Sequence, residues 1–276
     1  MIDNNKLRVI AGVEKIRFRL DNNDEFPEIR EFLDRLCLSG ELKNMSPFLI
    51  AGKIADLDMP KIFPDFLISF IEQMYEIEIE EGNADAMNDL GSLYYGGGRG
   101  FPQDFDKAVR YYTMAAEHGC RVSQENLGYC YYYGRNGEPD YEKAFHCFAL
   151  GAFEGHLISL YKIGDMYLNG YYVQKNEKEA FYIYMHCLDT MTEEAEKYAA
   201  GPVYLRLGKM FLNGIGTEEN LKNALICSQK AEAFLFDMVL SGDIKYKKSL
   251  EAAVKGQAET RKKLSEKLPE GEWIDE

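Results

Sequence analysis

The stretch YYGGGRGFPQDFDKA, residues 94–108, has the composition of a phosphate-binding loop. Four glycines surround Arg99, and the sequence after them has helical character. Glycine-rich loops that lead into a helix bind phosphate through backbone N–H groups. This stretch lacks the Gly-Lys-Ser/Thr ending of a P-loop, and the segment before it has the pattern of a helix rather than a strand. We therefore interpret it as a turn between two helices.

Two adjacent His-Cys pairs, His146-Cys147 and His186-Cys187, are the next candidates for chemistry, as metal ligands. Neighbouring residues on a helix point about 100° apart, so neither pair converges on one ion, whereas ligands four residues apart would. Neither the Gly-x-Ser-x-Gly nor the His-Glu-x-x-His motif occurs, and the many carboxylates single out no pair. We predict that the chain is not an enzyme and holds no metal or other cofactor.

The composition narrows the class of protein. The 276 residues carry a formal net charge of −14, which argues against nucleic acid and membranes as partners and favours basic ones. The N-terminus lacks a secretory signal, and no apolar run has transmembrane length. The six cysteines form no C-x-x-C pair and are expected to be small buried hydrophobes. We expect a cytoplasmic protein that is a monomer on its own.

Three later segments are similar to the glycine-rich stretch and read YYYGRNGEPDYEKA, YLNGYYVQKNEKEA and FLNGIGTEENLKNA. Each segment belongs to a copy of a longer pattern with a central leucine or isoleucine followed by glycine. The centres are Leu90-Gly91, Leu127-Gly128, Ile163-Gly164 and Leu207-Gly208. The alanines of the second half are Ala108, Ala144, Ala180 and Ala224, at spacings of 36, 36 and 44 residues. Such a period predicts a protein built from stacked structural repeats.

Each repeat predicts two antiparallel helices, A and B. In the first copy Ala86, Leu90 and Tyr94 form an apolar stripe on helix A, and Gly97 ends that helix. Asp or Asn four residues before each alanine predicts the N-cap of helix B. The glycine after each central leucine costs about 1 kcal/mol in a helix. We expect close approach of the partner helix to offset this cost.

The pattern Gly-x3-Ala/Ser-x3-Leu/Ile-Gly-x2-Tyr-x2-Gly, followed by Asp/Asn-x3-Ala, resembles the Sel-one-like repeat, a relative of the tetratricopeptide repeat. The resemblance covers roughly residues 82–235. It implies an all-α, right-handed α-solenoid of about four antiparallel helix-hairpin repeats with helical caps. Members of the family act as adaptors and scaffolds for protein partners and are not usually enzymes. An eight-residue insertion around 189–200 is expected to lengthen helix B of repeat three or the loop after it.

The sequence on either side of the repeats lacks their period. Residues 1–81 are expected to form a mostly helical N-terminal cap, with a short hairpin or edge strand in KLRVIAGVEKIRFRL; a small independent module is the alternative. Further helices are expected in PEIREFLDRLCLSG, SPFLIAGKIADL and PDFLISFIEQMYEIEIEEG. Residues 236–276 are expected to form a C-terminal capping helix and a frayed tail, LPEGEWIDE.

A partner is expected on the concave face, which A helices line in solenoids of helical hairpins. Positions of helix A away from its packing stripe then give the candidate partner-binding residues. These are Asn88, Tyr95, Glu125, Tyr129, Tyr132, Tyr133, Tyr161, Asp165, Arg206 and Lys209. The three tyrosines of repeat two suit interface anchors, and packing against the next repeat is the alternative.

These observations favour a non-catalytic scaffold or adaptor that binds a protein or peptide partner. A narrower alternative is an immunity protein that neutralises a basic, nuclease-like toxin, for which steep salt dependence of binding would be expected. An enzyme of unknown type is the least favoured alternative, and metal content after purification would test it.

Overall fold

The computed structural model describes residues 4–21, 25–57 and 62–267. Within these ranges the chain forms thirteen α-helices, two short 3₁₀ helices and no β-strand, so the predicted all-α class is confirmed. The chain divides into two compact units between Pro139 and Asp140, a boundary that the sequence did not indicate. The division into residues 1–81, 82–235 and 236–276 stays a prediction.

The first unit contains seven helices. They are α1 (Asn4–Leu20), α2 (Pro27–Ser39), α3 (Pro47–Ala55), α4 (Asp65–Glu80), α5 (Ala84–Gly96), α6 (Phe105–Glu117) and α7 (Arg121–Tyr132). The strand expected in KLRVIAGVEKIRFRL is wrong, because this segment lies in α1. Its buried side chains, Val9, Val13, Ile16 and Leu20, recur every three or four residues, which is the helical period. The other three helices expected before the repeats are present as α2, α3 and α4.

The second unit contains six helices. They are α8 (Tyr141–Phe153), α9 (Leu157–Asn169), α10 (Glu177–Asp189), α11 (Glu193–Asn213), α12 (Leu221–Leu240) and α13 (Lys247–Lys267). The expected effect of the insertion is wrong: α10 keeps 13 residues, and helix A of repeat four, α11, has 21. Pro202 stands inside α11, one residue after the position where α5 begins in the aligned first repeat. The extra turns therefore precede the position where helix A begins in the first repeat, and Pro202 lacks the N–H that would bond the carbonyl four residues earlier in the lengthened helix.

The predicted caps of the B helices are present in all four repeats. The side-chain oxygen of each cap accepts a hydrogen bond from the backbone N–H three residues later, at 2.9–3.0 Å. The capping residues are Asp104, Asp140, Asn176 and Asn220. Because this bond satisfies an N–H group of the first helical turn, it determines where each B helix begins.

The glycine after each central leucine lies where the two helices of a hairpin meet. A Cβ on Gly91 would lie 2.9 Å from the Tyr112 ring, and a Cβ on Gly164 would lie 2.6 Å from the Tyr184 ring. Gly208 leaves similar room for Ser228, whose Oγ would be 2.9 Å away. The expected close approach is confirmed for these three repeats, since any larger residue would collide with a side chain of helix B.

The glycine-rich loop at 96–100 holds repeat one against the N-terminal helices. The backbone N–H groups of Gly97 and Gly98 donate to the carbonyls of Leu93 and Phe101, so they are not directed at a ligand. Arg99 has a left-handed φ of 49°, and its Nη1 donates to the carbonyl oxygens of Ala55, at 2.8 Å, and Leu57. These carbonyls lie at the end of α3, where a cation is favourable. The interpretation as a turn is confirmed.

The C-terminal helix α13 packs against repeat four. Ala253 and Thr260 are fully buried on its inner face. Lys263 donates to the carbonyl of Leu212 at 2.9 Å and to the Glu219 carboxylate at 2.8 Å, and Lys267 also bonds Glu219. These hydrogen bonds from two lysines lower the pKa of Glu219 to about 2. The tail LPEGEWIDE lies outside the described residues.

Candidate functional site

Arg135 stands at the centre of an aromatic cluster in the first unit. Its guanidinium carbon lies 5.2 Å from the ring centre of Phe105, 5.4 Å from that of Tyr133 and 5.7 Å from that of Tyr95. Its Nε donates to the Tyr95 hydroxyl at 3.2 Å. We call these four residues the Arg135 cluster. The side chains come from the ends of α5 and α7, the start of α6 and the loop after α7, so the hairpins themselves position them.

The tyrosines of helix α7 continue this cluster. Tyr129 and Tyr133 stack with an interplanar angle of 9° at 6.1 Å, and Tyr132 meets Tyr133 edge to face at 4.9 Å. Tyr133 is 48% exposed, while Tyr129 and Tyr132 are half-buried. The three tyrosines contact one another, and Tyr133 presents ring surface to solvent. Their role as interface anchors stays a prediction, as does the alternative that they pack against the next repeat.

Asn88 links helices α5 and α7. Its Oδ1 accepts hydrogen bonds from Ser123 Oγ at 2.8 Å and from Asn126 Nδ2 at 3.0 Å. Asn88 is half-buried, and so is the candidate Glu125 on α7. The amide of Asn88 therefore joins the A helices of repeats one and two through these hydrogen bonds. Its expected place on a binding surface stays a prediction.

A buried charged cluster in the second unit joins the A helices of repeats three and four. The Arg206 guanidinium on α11 donates hydrogen bonds to both carboxylate oxygens of Asp165 on α9, at 2.5 Å and 2.6 Å. The Tyr184 hydroxyl donates to the same carboxylate at 2.8 Å, and Lys162 Nζ lies 3.6 Å from it. The Arg206 guanidinium also lies over the Tyr161 ring, 4.6 Å from its centre.

The electrostatics of this cluster are those of a satisfied buried pair. Burial opposes ionisation of Asp165, but the charge and hydrogen bonds of Arg206, with Lys162 and Tyr184, hold its pKa below the usual value. Burial, together with the Asp165 charge, raises the pKa of Tyr184. Asp165 is therefore a carboxylate at neutral pH and is occupied by groups of its own chain.

The prediction that Tyr161 and Asp165 face outward is wrong. Their exposed fractions are 3% and 7%, and Lys162 beside them is 4% exposed. The sequence argument placed these positions away from the packing stripe within one hairpin, but helix α11 of the next repeat covers them. Arg206 is half-buried and engaged with Asp165, whereas Lys209, one turn later, is exposed.

Arg135 and Phe105 were not predicted from the sequence as members of the cluster. Arg135 follows Gly134 in the loop between the two helices of repeat two. At the matching position of repeat three, Tyr171 stacks on Tyr141 at 4.2 Å. In both units, therefore, the loop after a helix A packs on the start of the preceding helix B. Comparison of the loop residues between repeats would have revealed this contact.

The described residues contain no group of three or more His, Cys, Asp or Glu side chains that could hold a metal ion. In the two His-Cys pairs the cysteine is buried and the histidine exposed, so the two side chains diverge as predicted. Four of the six cysteines are buried and two are half-buried, in line with the expectation that they act as small hydrophobes.

A cleft of about 310 Å³ lies between α1 and α4. Its charged lining residues are Lys15, Arg19 and Asp65, beside Phe66 and Ser69. These groups do not form a nucleophile and a neighbouring base, the arrangement that hydrolytic catalysis requires. Within the described ranges, no helix is long and apolar enough to cross a lipid bilayer.

Three kinds of similarity connect the chain to known proteins. The family model described as Sel1 repeat matches residues 84–120, 121–156, 157–184 and 202–233. A segment of 59 residues is 39% identical to the ERAD-associated E3 ubiquitin-protein ligase component HRD3A of Arabidopsis thaliana. That segment is 21% of this chain and only 9% of the plant protein's length.

Two crystal structures share the fold. The first is a protective antigen of uropathogenic Escherichia coli strains that displays an SLR fold, with a TM-score of 0.55 and 22% identity over 83% of this chain and 50% of the antigen. The second is a Sel1 repeat protein from Oxalobacter formigenes, with a TM-score of 0.53 and 19% identity over 81% and 84% of the two chains. The predicted helical-repeat solenoid class is confirmed. With Sel1 repeats at four positions and neighbours of the same fold, the chain belongs to the Sel1-repeat family.

Proposed function

We propose that the protein is a non-catalytic scaffold that binds a protein or peptide partner on the concave side of its A helices. The observation that carries the proposal is the Arg135 cluster together with the neighbouring tyrosines of α7. Tyrosine and arginine are the residue types that dominate binding energy at protein interfaces. Here they form one patch, held in place by ring contacts, with Tyr133 48% exposed.

The family supports this proposal. Sel1-repeat proteins generally mediate protein–protein interaction, and the plant relative is by its name a component of a ligase assembly. Repeats of this kind stack elements into extended surfaces rather than closed pockets, which suits the binding of a peptide segment or a protein face. No arrangement of side chains among the described residues favours an enzyme.

The charge of the chain indicates the class and the charge of the expected partner. A net charge of −14 supports a protein partner over nucleic acid or an anionic membrane, and it gives basic partners faster association. A basic toxin neutralised by this chain is the narrow form of this idea. Binding that weakens steeply between low and high salt is its expected signature. A cytoplasmic location and a monomeric state complete the proposal.

The test is affinity capture with mass spectrometry, using three versions of the full-length protein. Tyr133→Ala removes the exposed ring of the cluster, and Tyr198→Ala removes a 57% exposed tyrosine of α11 that serves as the control. Partners held by the wild type and by Tyr198→Ala, but lost with Tyr133→Ala, would support the proposal if circular dichroism shows equal helicity. Partners retained equally by all three would place the interface elsewhere.

A further inference from the structure

Arg135 is an exposed arginine that neighbouring side chains hold in place. Its Nε bonds the Tyr95 hydroxyl, and three rings hold the plane of the guanidinium. Among the residues that the structure describes, no carboxylate lies within ion-pair distance of Arg135, and its two Nη groups donate no hydrogen bond. The residue is exposed. Its outer edge therefore offers two parallel N–H groups in the geometry that binds both oxygens of a carboxylate.

The same chain shows how such an arginine behaves when a carboxylate is supplied. Arg206 in the second unit also lies over tyrosine rings, at 4.6 Å from Tyr161 and 6.0 Å from Tyr184. There the guanidinium binds both oxygens of Asp165. Arg135 has comparable aromatic support, and among the described residues only the carboxylate is missing.

The physical cost of binding is already reduced at Arg135. A free arginine side chain loses much rotamer freedom when it forms a bidentate pair, and that loss weakens surface ion pairs. The rings at 5.2–5.7 Å restrict the side chain before any partner arrives. Aromatic neighbours also exclude water from one face of the guanidinium, which strengthens an ion pair formed at its edge.

We infer that Arg135 recognises a carboxylate of the partner, in a peptide segment that places an Asp or Glu side chain beside an apolar residue that contacts Tyr133. This inference rests on the proposed scaffold function and names the chemistry of its partner. It also modifies the expectation of a basic partner. The overall negative charge acts at long range and affects the rate of association, while Arg135 makes a short-range contact that determines which peptide stays bound.

The experiment is a selection of random twelve-residue peptides displayed on phage, carried out on the immobilised full-length protein. Peptides enriched on the wild type are expected to share an acidic residue next to an aliphatic or aromatic one. A consensus peptide is then synthesised in two forms, with the acid and with its amide (Asp→Asn or Glu→Gln). On the wild type the acid form is expected to bind about 10- to 100-fold more tightly, the range for hydrogen bonds to charged groups.

Two variants complete the cycle. On Arg135→Gln the acid and amide peptides are expected to bind equally, and Arg135→Lys is expected to restore part of the preference, because it keeps the charge but loses the fork. Equal binding of both peptides to the wild type, an unchanged preference on Arg135→Gln, or no enriched peptide at all would overturn the inference. Peptides that lack acids but depend on Tyr133 would overturn it while leaving the scaffold proposal intact. Peptides insensitive to both residues would count against both.

Discussion

Removal of Arg206 gives the most direct test of how the repeats are joined. In Arg206→Met, the Asp165 carboxylate loses both of its short hydrogen bonds and keeps only the Tyr184 hydroxyl at 2.8 Å and Lys162 at 3.6 Å. Asp165 is 7% exposed, so little water reaches its carboxylate. Breaking a buried pair on one side costs about 3–5 kcal/mol, and Lys162 at 3.6 Å compensates the remaining carboxylate only in part. We expect the free energy of unfolding to fall by this amount.

A double variant separates the pair from simple packing. Arg206→Met with Asp165→Asn removes the charges of both paired residues while keeping an acceptor for Tyr184. It is expected to recover at least about 1 kcal/mol relative to the arginine variant alone, since replacing both members of a buried pair is often nearly neutral. The control is Lys209→Met, an exposed residue of the same helix, for which a change within about 0.5 kcal/mol is expected.

The assay is urea unfolding followed by circular dichroism, with native-state hydrogen exchange to locate the loss. Because the pair joins α9 to α11, faster exchange is expected in these helices before it spreads further.

A second readout is the dependence of stability on pH. The pKa of Asp165 is lowered in the folded state, so its stabilising contribution is present above the unfolded pKa of about 3.9 and is lost as the pH falls towards the folded value. Wild-type stability should therefore fall more steeply below about pH 4 than that of the double variant. An Arg206→Met protein as stable as the wild type would refute the reasoning.

Three further predictions concern the repeat architecture. Gly91→Ala is expected to destabilise by about 1–3 kcal/mol, because the new Cβ would lie 2.9 Å from the Tyr112 ring, whereas Gly96→Ala in the same helix meets nothing within 4 Å and should be neutral or slightly stabilising in urea melts. Arg99→Ala removes two hydrogen bonds to the end of α3 and should lower the unfolding free energy by about 1–3 kcal/mol, with faster exchange in α3; protection equal to the wild type would contradict the role of the loop. Asn220→Ala should cost about 1 kcal/mol through loss of the first-turn cap of α12, and an unchanged melting midpoint would speak against it.

The sequence by itself determined the repeat and its two helices. The reason is that the information is local: caps, terminating glycines and apolar stripes act within one hairpin, and all four B helices begin at the predicted Asp or Asn. Four copies of the pattern also allowed each position to be checked against the others. The same local signals failed in α1, where Val9, Val13 and Ile16 follow the helical period in a sequence that also alternates.

Only the tertiary structure decided which side chains of the A helices are available to a partner. Tyr161 and Asp165 were expected outside and are buried, because Arg206, far along the chain, supplies the charge that allows a carboxylate to be covered. Arg135 was not predicted as a candidate, yet it is exposed and its guanidinium lies against three aromatic rings. The physical reason is the same in both cases: exposure depends on contacts between successive repeats, and these involve residues about one repeat length apart that no local pattern pairs.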